Sequence, residues 1–360
     1  MTLKLNIFER MKEEGHEQIF FCQDDTANLR MLIGIHDTTL GPALGGCRMW
    51  PYDHEHEAVT DVLRLSRGMT SKSASTGQNF GGGKAVLWGD AAKDKDEALF
   101  RTLGRFVEGL QGNFITGTDV GTTGKDFVWS QQETNYLVAL PESHGGSGDS
   151  SLTTAFGVFR GMQACSQTVF GSDDLKGRRV ALQGGGKVGY HLARFLHEAG
   201  ARLVIADIDQ AKVDRIVDEF GASPVSCDDI ISTACDIFSP NALGGILHEE
   251  SIRRLQCRIV AGSANNQLLN TEHAELLRQR DILYAPDYVI NAGGLIQVAD
   301  ELHGFVRERA MRKTSSLYDL LLNIFAIAKE RDICTARAAD IMVKERLDAI
   351  GQLKRMQRGT

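Results

Sequence analysis

At 360 residues the chain is long enough for two domains of ordinary size. Its composition, 42% hydrophobic and 24% charged, is that of a globular protein, and a formal charge of −7 leaves no basic excess for nucleic acid. No apolar run reaches the roughly 18 residues of a membrane span, the start lacks a secretory apolar region, and seven cysteines without a CxxC pair point to reduced cytoplasmic thiols, not a disulfide framework or structural zinc.

Along the chain, residues 31–36 read as a short buried strand. Apolar residues at 58, 59, 62, 63 and 65 then space a helix over 57–66. Residues 85–88 give a second strand, the stripe Leu99, Leu103, Phe106, Val107 and Leu110 a helix, and 114–116 a further extended piece. The segment 144–151 is the most loop-like and marks the domain boundary. A helix over about 153–169 precedes a strand at 180–183, which runs into Gly184-Gly185-Gly186-Lys187-Val188-Gly189. The next helix stops at Gly200, and the strand at 203–206 ends in Asp207. Strand candidates at 236–239, 259–261 and 282–284 alternate with helical segments, which predicts a parallel sheet with crossover helices. Leu317, Leu320, Leu321, Ile324 and Ile327 mark an amphipathic helix, and the charged last thirty residues are also helical. The expected fold is α/β in two domains: 1–149 joined by C-terminal helices from about 331–360, and a nucleotide-binding domain over 150–330.

A GxGxxG string alone is weak, but here a strand precedes it, a helix follows, and an acid ends the next strand eighteen residues beyond Gly189. Gly184 permits the tight turn, Gly186 lets backbone N–H groups approach a pyrophosphate, and Gly189 allows close helix–strand packing. Asp207 would accept the adenosine ribose hydroxyls and repel a 2′-phosphate. No Arg or Lys follows it before Lys212, so NAD is favoured over NADP. The cluster Gly81-Gly82-Gly83-Lys84 is not a phosphate-binding P-loop, because Ala85 follows the lysine and Gln78 stands at the earlier glycine position. His54-Glu55-His56-Glu57 reads as a solvated turn before a helix, not a metal site.

Lys72 and Lys84 stand twelve residues apart among glycines. Burial and a neighbouring ammonium both favour a neutral amine, the form in which a lysine acts as a base. A solvated surface residue is the plain reading of either lysine alone. Six strings change that weighting: 36–48, 68–72, 81–84, 117–122, 261–268 and 284–301. They begin His36-Asp-Thr-Thr-Leu-Gly-Pro and end Gly293-Gly-Leu-Ile-Gln-Val-Ala-Asp-Glu301. Through them the chain, from about 17 to 345, resembles the glutamate, leucine, phenylalanine and valine dehydrogenase family, and within it a bacterial phenylalanine dehydrogenase.

The resemblance implies an N-terminal α/β substrate and oligomerisation domain, a Rossmann-type NAD domain, and a cleft between them. It implies that Lys72 binds the substrate α-carboxylate, Lys84 activates the attacking water, and Asp119 exchanges a proton with the amino group. Gly45, Gly46, Met69, Gly117, Asn265, Asn266, Leu295 and Val298 would contact substrate. Arg48, Thr154, Gly184, Gly185, Gly186, Lys187, Val188, Gly189, Asp207, Ile208, Asn241, Ala242, Ala264 and Asn265 would hold NAD. No metal is expected. The partners implied are an L-amino acid, its 2-oxo acid and ammonia, with a homo-oligomer of two to eight chains. Two departures stand out: Ser71 replaces a frequent tyrosine, and Asn241 a frequent cysteine near the cofactor.

Gly117 and Leu295 resemble phenylalanine dehydrogenases, where leucine dehydrogenases carry alanine and valine. A glycine there is expected to open room for a ring, and each such difference is worth about 1–3 kcal/mol. The function expected is reversible NAD-dependent deamination of L-phenylalanine. The alternatives are a leucine, branched-chain or tryptophan dehydrogenase of the same family, and a non-catalytic NAD-binding regulator. Against the last stands the joint presence of Lys72, Lys84 and Asp119.

Overall fold

The computed structural model describes residues 6–358, with side chains over 6–353. It divides into two compact units, one of residues 1–149, 301–305 and 343–360, the other of 150–300 and 306–342. The C-terminal return therefore starts at 343, not near 331. The reason lies in the bonds of the intervening segment: the Thr335 hydroxyl donates to Tyr284 O at 2.6 Å, and Tyr288 donates to Asp340 at 2.9 Å. A first, brief return at 301–305 was not expected. Glu301 accepts the Ala139 N–H at 3.0 Å and the Ser147 hydroxyl at 2.7 Å, both groups of the first unit.

In the first unit the chain runs α1 (Ile7–Glu14), β1 (Gln18–Asp24), β2 (Leu29–Asp37), β3 (Ala43–Leu44), β4 (Cys47–Trp50), α2 (Glu55–Ser75), β5 (Gly81–Trp88), α3 (Glu97–Glu108), β6 (Phe114–Ile115) and α4 (Gly124–Ser130). The sheet order is β1-β2-β5-β3-β6, with β4 also paired to β5. β5 begins at Gly81, four residues before the expected strand, and all but Trp88 is buried. Its parity separates two cores. Ala85 and Leu87 join Met31, Ile33, Phe100 and Phe127 on one face, while Val86 joins Val59, Val62 and Leu63 of α2 on the other. α2 is longer than the expected 57–66, running through Gly68 to Ser75. At its start the Glu57 carboxylate accepts the N–H groups of Asp53 and His54, which explains that His/Glu string as a helix cap. At its end Arg346, from the returning helix, donates to Ser73 O and Ala74 O, satisfying terminal carbonyls.

The second unit continues with α5 (Ser151–Phe170), β7 (Arg179–Gln183), α6 (Lys187–Glu198), β8 (Arg202–Ala206), α7 (Gln210–Phe220), β9 (Ser223–Pro224), β10 (Ile237–Pro240), α8 (Glu249–Arg254), β11 (Ile259–Val260), α9 (His273–Gln279) and β12 (Leu283–Tyr284). Then come α10 (Asp287–Ile290), α11 (Gly293–Glu301), α12 (Arg307–Ser315), α13 (Leu317–Glu330) and α14 (Thr335–Arg358), whose residues from 343 on belong to the first unit. All strand pairs here are parallel, in the order β12-β11-β10-β7-β8-β9. Read from β9, that is third, second, first, fourth, fifth, sixth: the doubly wound dinucleotide-binding topology. Val180 and Leu182 face the core with α5, α6 and α13, and Ala181 faces the one with α8 and α9. Among the described residues no helix is long and apolar enough to cross a membrane.

His16, just past α1, is a buried histidine with a pH consequence. Its Nε2 lies 2.9 Å from Leu63 O and 3.1 Å from Ser66 Oγ, its Nδ1 is buried without a partner, and its ring meets His36 edge-on at 4.7 Å. Burial first, and then the His36 ring, lower its pKa to about 4. Because the folded value lies below the unfolded one, the unfolded chain binds the extra proton, and stability falls as pH drops from about 6.5 to 4. At about 1.4 kcal/mol per pKa unit the loss amounts to about 3 kcal/mol. Denaturant unfolding at pH 7 and pH 4.5 should show His16→Gln losing clearly less stability than wild type. Equal losses in the two proteins would remove His16 as the acid-sensitive group.

Candidate active site

The first unit builds its charge cluster on the α2 face of β5. In β5, Gly82, Lys84 and Val86 share one face, and Arg48 of β4 is in register with Val86. A Cβ on Gly82 would stand 2.1 Å from Thr70 Oγ1 and 2.3 Å from Thr70 N, so only a glycine lets α2 settle this close. Lys84, next on that face, is 5% exposed under the helix. Gly45 and Gly46 do the same on the other side: their Cβ atoms would lie 1.7 Å from Gly83 O and 2.5 Å from Thr118 O. Met69 lines Gly45, and Asp119 lines Gly46.

These approaches bring Lys84 Nζ to 2.8 Å from Asp119 Oδ2. Arg48 Nε reaches the same oxygen at 3.2 Å, and its Nη1 reaches Asp61 Oδ2 at 2.8 Å. Tyr52 donates to Asp61 at 2.7 Å. Thr122 fixes the Asp119 backbone by accepting its N–H at 3.0 Å and donating to Cys47 O at 2.9 Å. Burial pushes the Asp119 carboxyl upward, yet the Lys84 and Arg48 charges outweigh it and hold the group below the ordinary carboxylate range. Lys72 lies half-buried in the last turn of α2, three residues past Met69. The structure thus assembles Gly45, Gly46, Met69, Lys84 and Asp119. It gives Arg48, expected at the cofactor, two carboxylate partners here.

Gly117 corrects an expectation. Its Cβ would point at Val138, 2.5 Å from the carbonyl oxygen and 3.0 Å from Cγ2, and not into open space. The glycine accommodates the backbone bridged to it, where Val138 N–H donates to Thr116 O at 2.8 Å.

The second unit fits a dinucleotide at the ends of β7 and β8. Gly184 has φ of +107°, a conformation natural to glycine, and a Cβ on Gly189 would stand 2.1 Å from Gly184 O. At Gly186 a Cβ would meet nothing within 4 Å, leaving open space where α6 begins and its N–H groups favour phosphate. Lys187 is exposed and Val188 half-buried in that first turn. Asp207 accepts the Gly185 N–H at 2.7 Å and the Asp209 N–H at 2.9 Å, which fixes its carboxylate against the turn. Ile208, directly after Asp207, is 95% exposed and Leu243, directly after Ala242, 82%. Lys212, far enough in sequence to be discounted, folds back to 4.0 Å from Asp207 and 3.3 Å from Asp209.

Asn241 is a tether. Its Oδ1 accepts the Ser263 N–H and hydroxyl, both at 2.9 Å, and Ala242 follows beside Gly184. Asn291, which sequence reasoning missed, donates through Nδ2 to Ser263 O at 3.1 Å and to Asn265 Oδ1 at 2.7 Å. Because Ser263 O is a carbonyl, the Asn291 amide orientation is set, and with it that of Asn265. Ala264 is buried and Asn266 exposed with φ of +50°. Thr154 of α5 lies against Gly294 of α11, next to buried Leu295, with Val298 half-buried one turn on.

An open parallel sheet with a glycine turn, an acid on the neighbouring strand and a separate lysine–aspartate cluster defines a nucleotide-dependent α/β enzyme. Residues 16–136 match the model of the Glu/Leu/Phe/Val dehydrogenase dimerisation domain, and 145–210 and 205–311 that of the glutamate/leucine/phenylalanine/valine dehydrogenase domain. The chain is 52% identical over 346 residues to leucine dehydrogenase of Geobacillus stearothermophilus (96% of this chain, 94% of that protein). It is 50% identical over 353 residues to phenylalanine dehydrogenase of Thermoactinomyces intermedius (98% and 96%). The crystal structure of L-tryptophan dehydrogenase from Nostoc punctiforme superimposes with a TM-score of 0.84 at 44% identity, over 96% of this chain and 99% of that one. The chain belongs to the Glu/Leu/Phe/Val dehydrogenase family of amino-acid dehydrogenases.

Two substitutions probe this geometry. Gly117→Ala should destabilise the first unit by about 1–3 kcal/mol, as overpacking against a backbone does. A melting temperature equal to wild type would show that Val138 yields freely. Asp207→Ser should weaken NAD and leave the Lys212 ammonium to meet a 2′-phosphate. Titration with both dinucleotides should show the NAD/NADP affinity ratio falling at least tenfold, and an unchanged ratio would exclude Asp207 as the ribose discriminator.

Proposed function

We propose that the chain catalyses the reversible NAD-dependent oxidative deamination of an L-amino acid, with L-phenylalanine the favoured substrate, as a homo-oligomer. The observation that carries the reading is the pair of buried Lys84 and half-buried Asp119 at 2.8 Å, two groups that can each move a proton. NAD, when bound at the glycine turn, supplies the acceptor for the hydride that leaves the substrate Cα.

The chain's own residues do the rest. Lys72 binds the α-carboxylate and orients Cα. Loss of hydride leaves the substrate as an iminium ion. Lys84, as the neutral amine, takes a proton from the water that attacks this carbon, and a carbinolamine forms. Asp119, having received a proton from the amino group, returns one to nitrogen. Lys84, its first proton passed to solvent, then takes the hydroxyl proton as the carbinolamine collapses to the 2-oxo acid and ammonia leaves. Arg48 favours the ionised form of Asp119 before and after this exchange, and Asn291 keeps Asn265 in one orientation toward the substrate.

Support for phenylalanine comes from Leu295 and the string at 293–301 in which it stands. The leucine relatives are as similar as the phenylalanine ones, so leucine remains the second reading. Since the Gly117 Cβ direction leads to Val138, any widening of the pocket there acts through where Val138 rests.

The test is NADH formation from a panel of L-amino acids by wild type, Lys84→Ala and Lys72→Ala. Phenylalanine should give the highest kcat/KM in wild type. Lys84→Ala should lose at least a thousandfold in kcat while binding NAD as before, and Lys72→Ala should mainly raise the amino-acid KM. Near-wild-type turnover by Lys84→Ala at neutral pH contradicts its role as base. A preference for leucine would change the substrate and leave the reaction class standing.

A further inference from the structure

Two cysteines lie outside every part of this chemistry. β10 and β11 pair in parallel with Ile237 opposite Ile259, and Cys235 and Cys257 each stand two residues upstream of those partners. The two incoming segments stay tied at that level: the Cys235 N–H donates to Gln256 O at 3.0 Å, and the Arg258 N–H to Asp236 O at 3.2 Å. Neighbouring strands run about 4.8 Å apart, inside the roughly 4.4–6.8 Å between Cα atoms that a disulfide spans. Both thiols are free and half-buried against the α8/α9 face of the sheet. They are hydrogen-bonded to each other.

We infer that Cys235 and Cys257 are a reactive dithiol, a modification site that a peroxide converts to an intramolecular disulfide joining β10 to β11. The roles of the two sulfurs follow from their surroundings. The hydrogen bond from Cys235 holds the Cys257 thiol below its ordinary range against the effect of burial, and the Arg280 guanidinium adds to the stabilisation of its thiolate. The same bond, with burial, pushes Cys235 up. Cys257 is therefore the attacking sulfur and Cys235 the resolving one. The Cys257 thiolate attacks one peroxide oxygen and becomes a sulfenic acid as hydroxide leaves. Cys235 then displaces the second hydroxide from that sulfur and forms the S–S bond. Each sulfur is oxidised by one electron, the peroxide is reduced by two, and the thiol protons end in two molecules of water.

The pair enters β10 and β11 at their N-terminal ends, while Asn241 and Ser263 of the dinucleotide site follow the C-terminal ends of the same strands. The cross-link therefore fastens the sheet without touching that site. It closes a loop of some twenty residues of the unfolded chain, so it should raise thermal stability.

The experiment treats the full-length protein with hydrogen peroxide, blocks remaining thiols, and digests without reduction for mass spectrometry. The expected result is a peptide pair linked through Cys235 and Cys257, reversed by dithiothreitol, with a melting temperature higher by several degrees and dinucleotide affinity within twofold. Cys257→Ser should abolish the link, and Cys235→Ser should stop at a sulfenic acid on Cys257 that dimedone traps. Recovery of both cysteines as alkylated thiols, with oxidation confined to exposed Cys227 or to links between chains, overturns the proposal. Because none of these readouts needs turnover, they stand whatever amino acid the enzyme takes.

Discussion

The missing side chains at Gly45, Gly46 and Gly82 are the constraint on which the chemistry of the first unit depends. A Cβ at these positions would stand 1.7 to 2.5 Å from backbone atoms, closer than a side chain can approach. Their absence lets α2 descend onto β5 and lets the strand through Cys47 lie against the segment ending in Asp119. Lys84 is consequently buried, and a buried ammonium without a counter-ion costs several kcal/mol. The same close approach that buries it delivers the carboxylate that makes burial tolerable. Backbone packing and electrostatics are one problem here, solved together.

The charges beyond that pair follow a simple alternation. Lys84, Asp119, Arg48 and Asp61 form a row of opposite signs, and Arg64 and Tyr52 finish it at Asp61. Asp119 has two cations against it, so it stays ionised well below neutral pH. Arg48, squeezed between two carboxylates, is held more firmly than a surface arginine. Removing one member leaves its neighbour a buried charge with too few partners, so the row behaves as a unit and its members should not be read one substitution at a time.

The second unit was more legible in the sequence than the first, for physical reasons. Its first two strands are short apolar runs that end at Gly184 and Asp207, and the helix between them keeps an apolar stripe, so period and punctuation agree. In the first unit β5 opens with three glycines, which carry no strand propensity, and β3 and β4 are too short to show a pattern. α2 passes through Gly68 and a run of small polar residues where its expected end lay. Lys84 drew notice from the glycines around it but Asp119 only from a family string, because nothing local places residue 119 beside residue 84. Asp61, Tyr52 and Asn291 were invisible, since each acts by holding another side chain. Gly117 was misread because a sequence says that a side chain is absent, not which direction it would have taken. Lys212 was discounted by counting residues, although one turn of α7 carries its ammonium back to Asp207.

Direction also separates the two kinds of glycine in this chain. At Gly45, Gly46, Gly82 and Gly117 the volume a Cβ would need is already filled by the protein's own backbone or side chains. At Gly186 that volume is empty and borders the first N–H groups of a helix. A glycine enclosed by protein explains itself through packing, whereas one facing space beside unsatisfied donors has no internal reason to be bare. Gly186 thus leaves room at the helix end for an anion from outside, whereas Gly189 in the same turn is enclosed against Gly184. Gly45, Gly46 and Gly82 serve the chain itself, bringing Lys84 and Asp119 to hydrogen-bonding distance. A dehydrogenase needs both arrangements, because hydride removal requires a bound acceptor and deamination requires a proton moved in each direction.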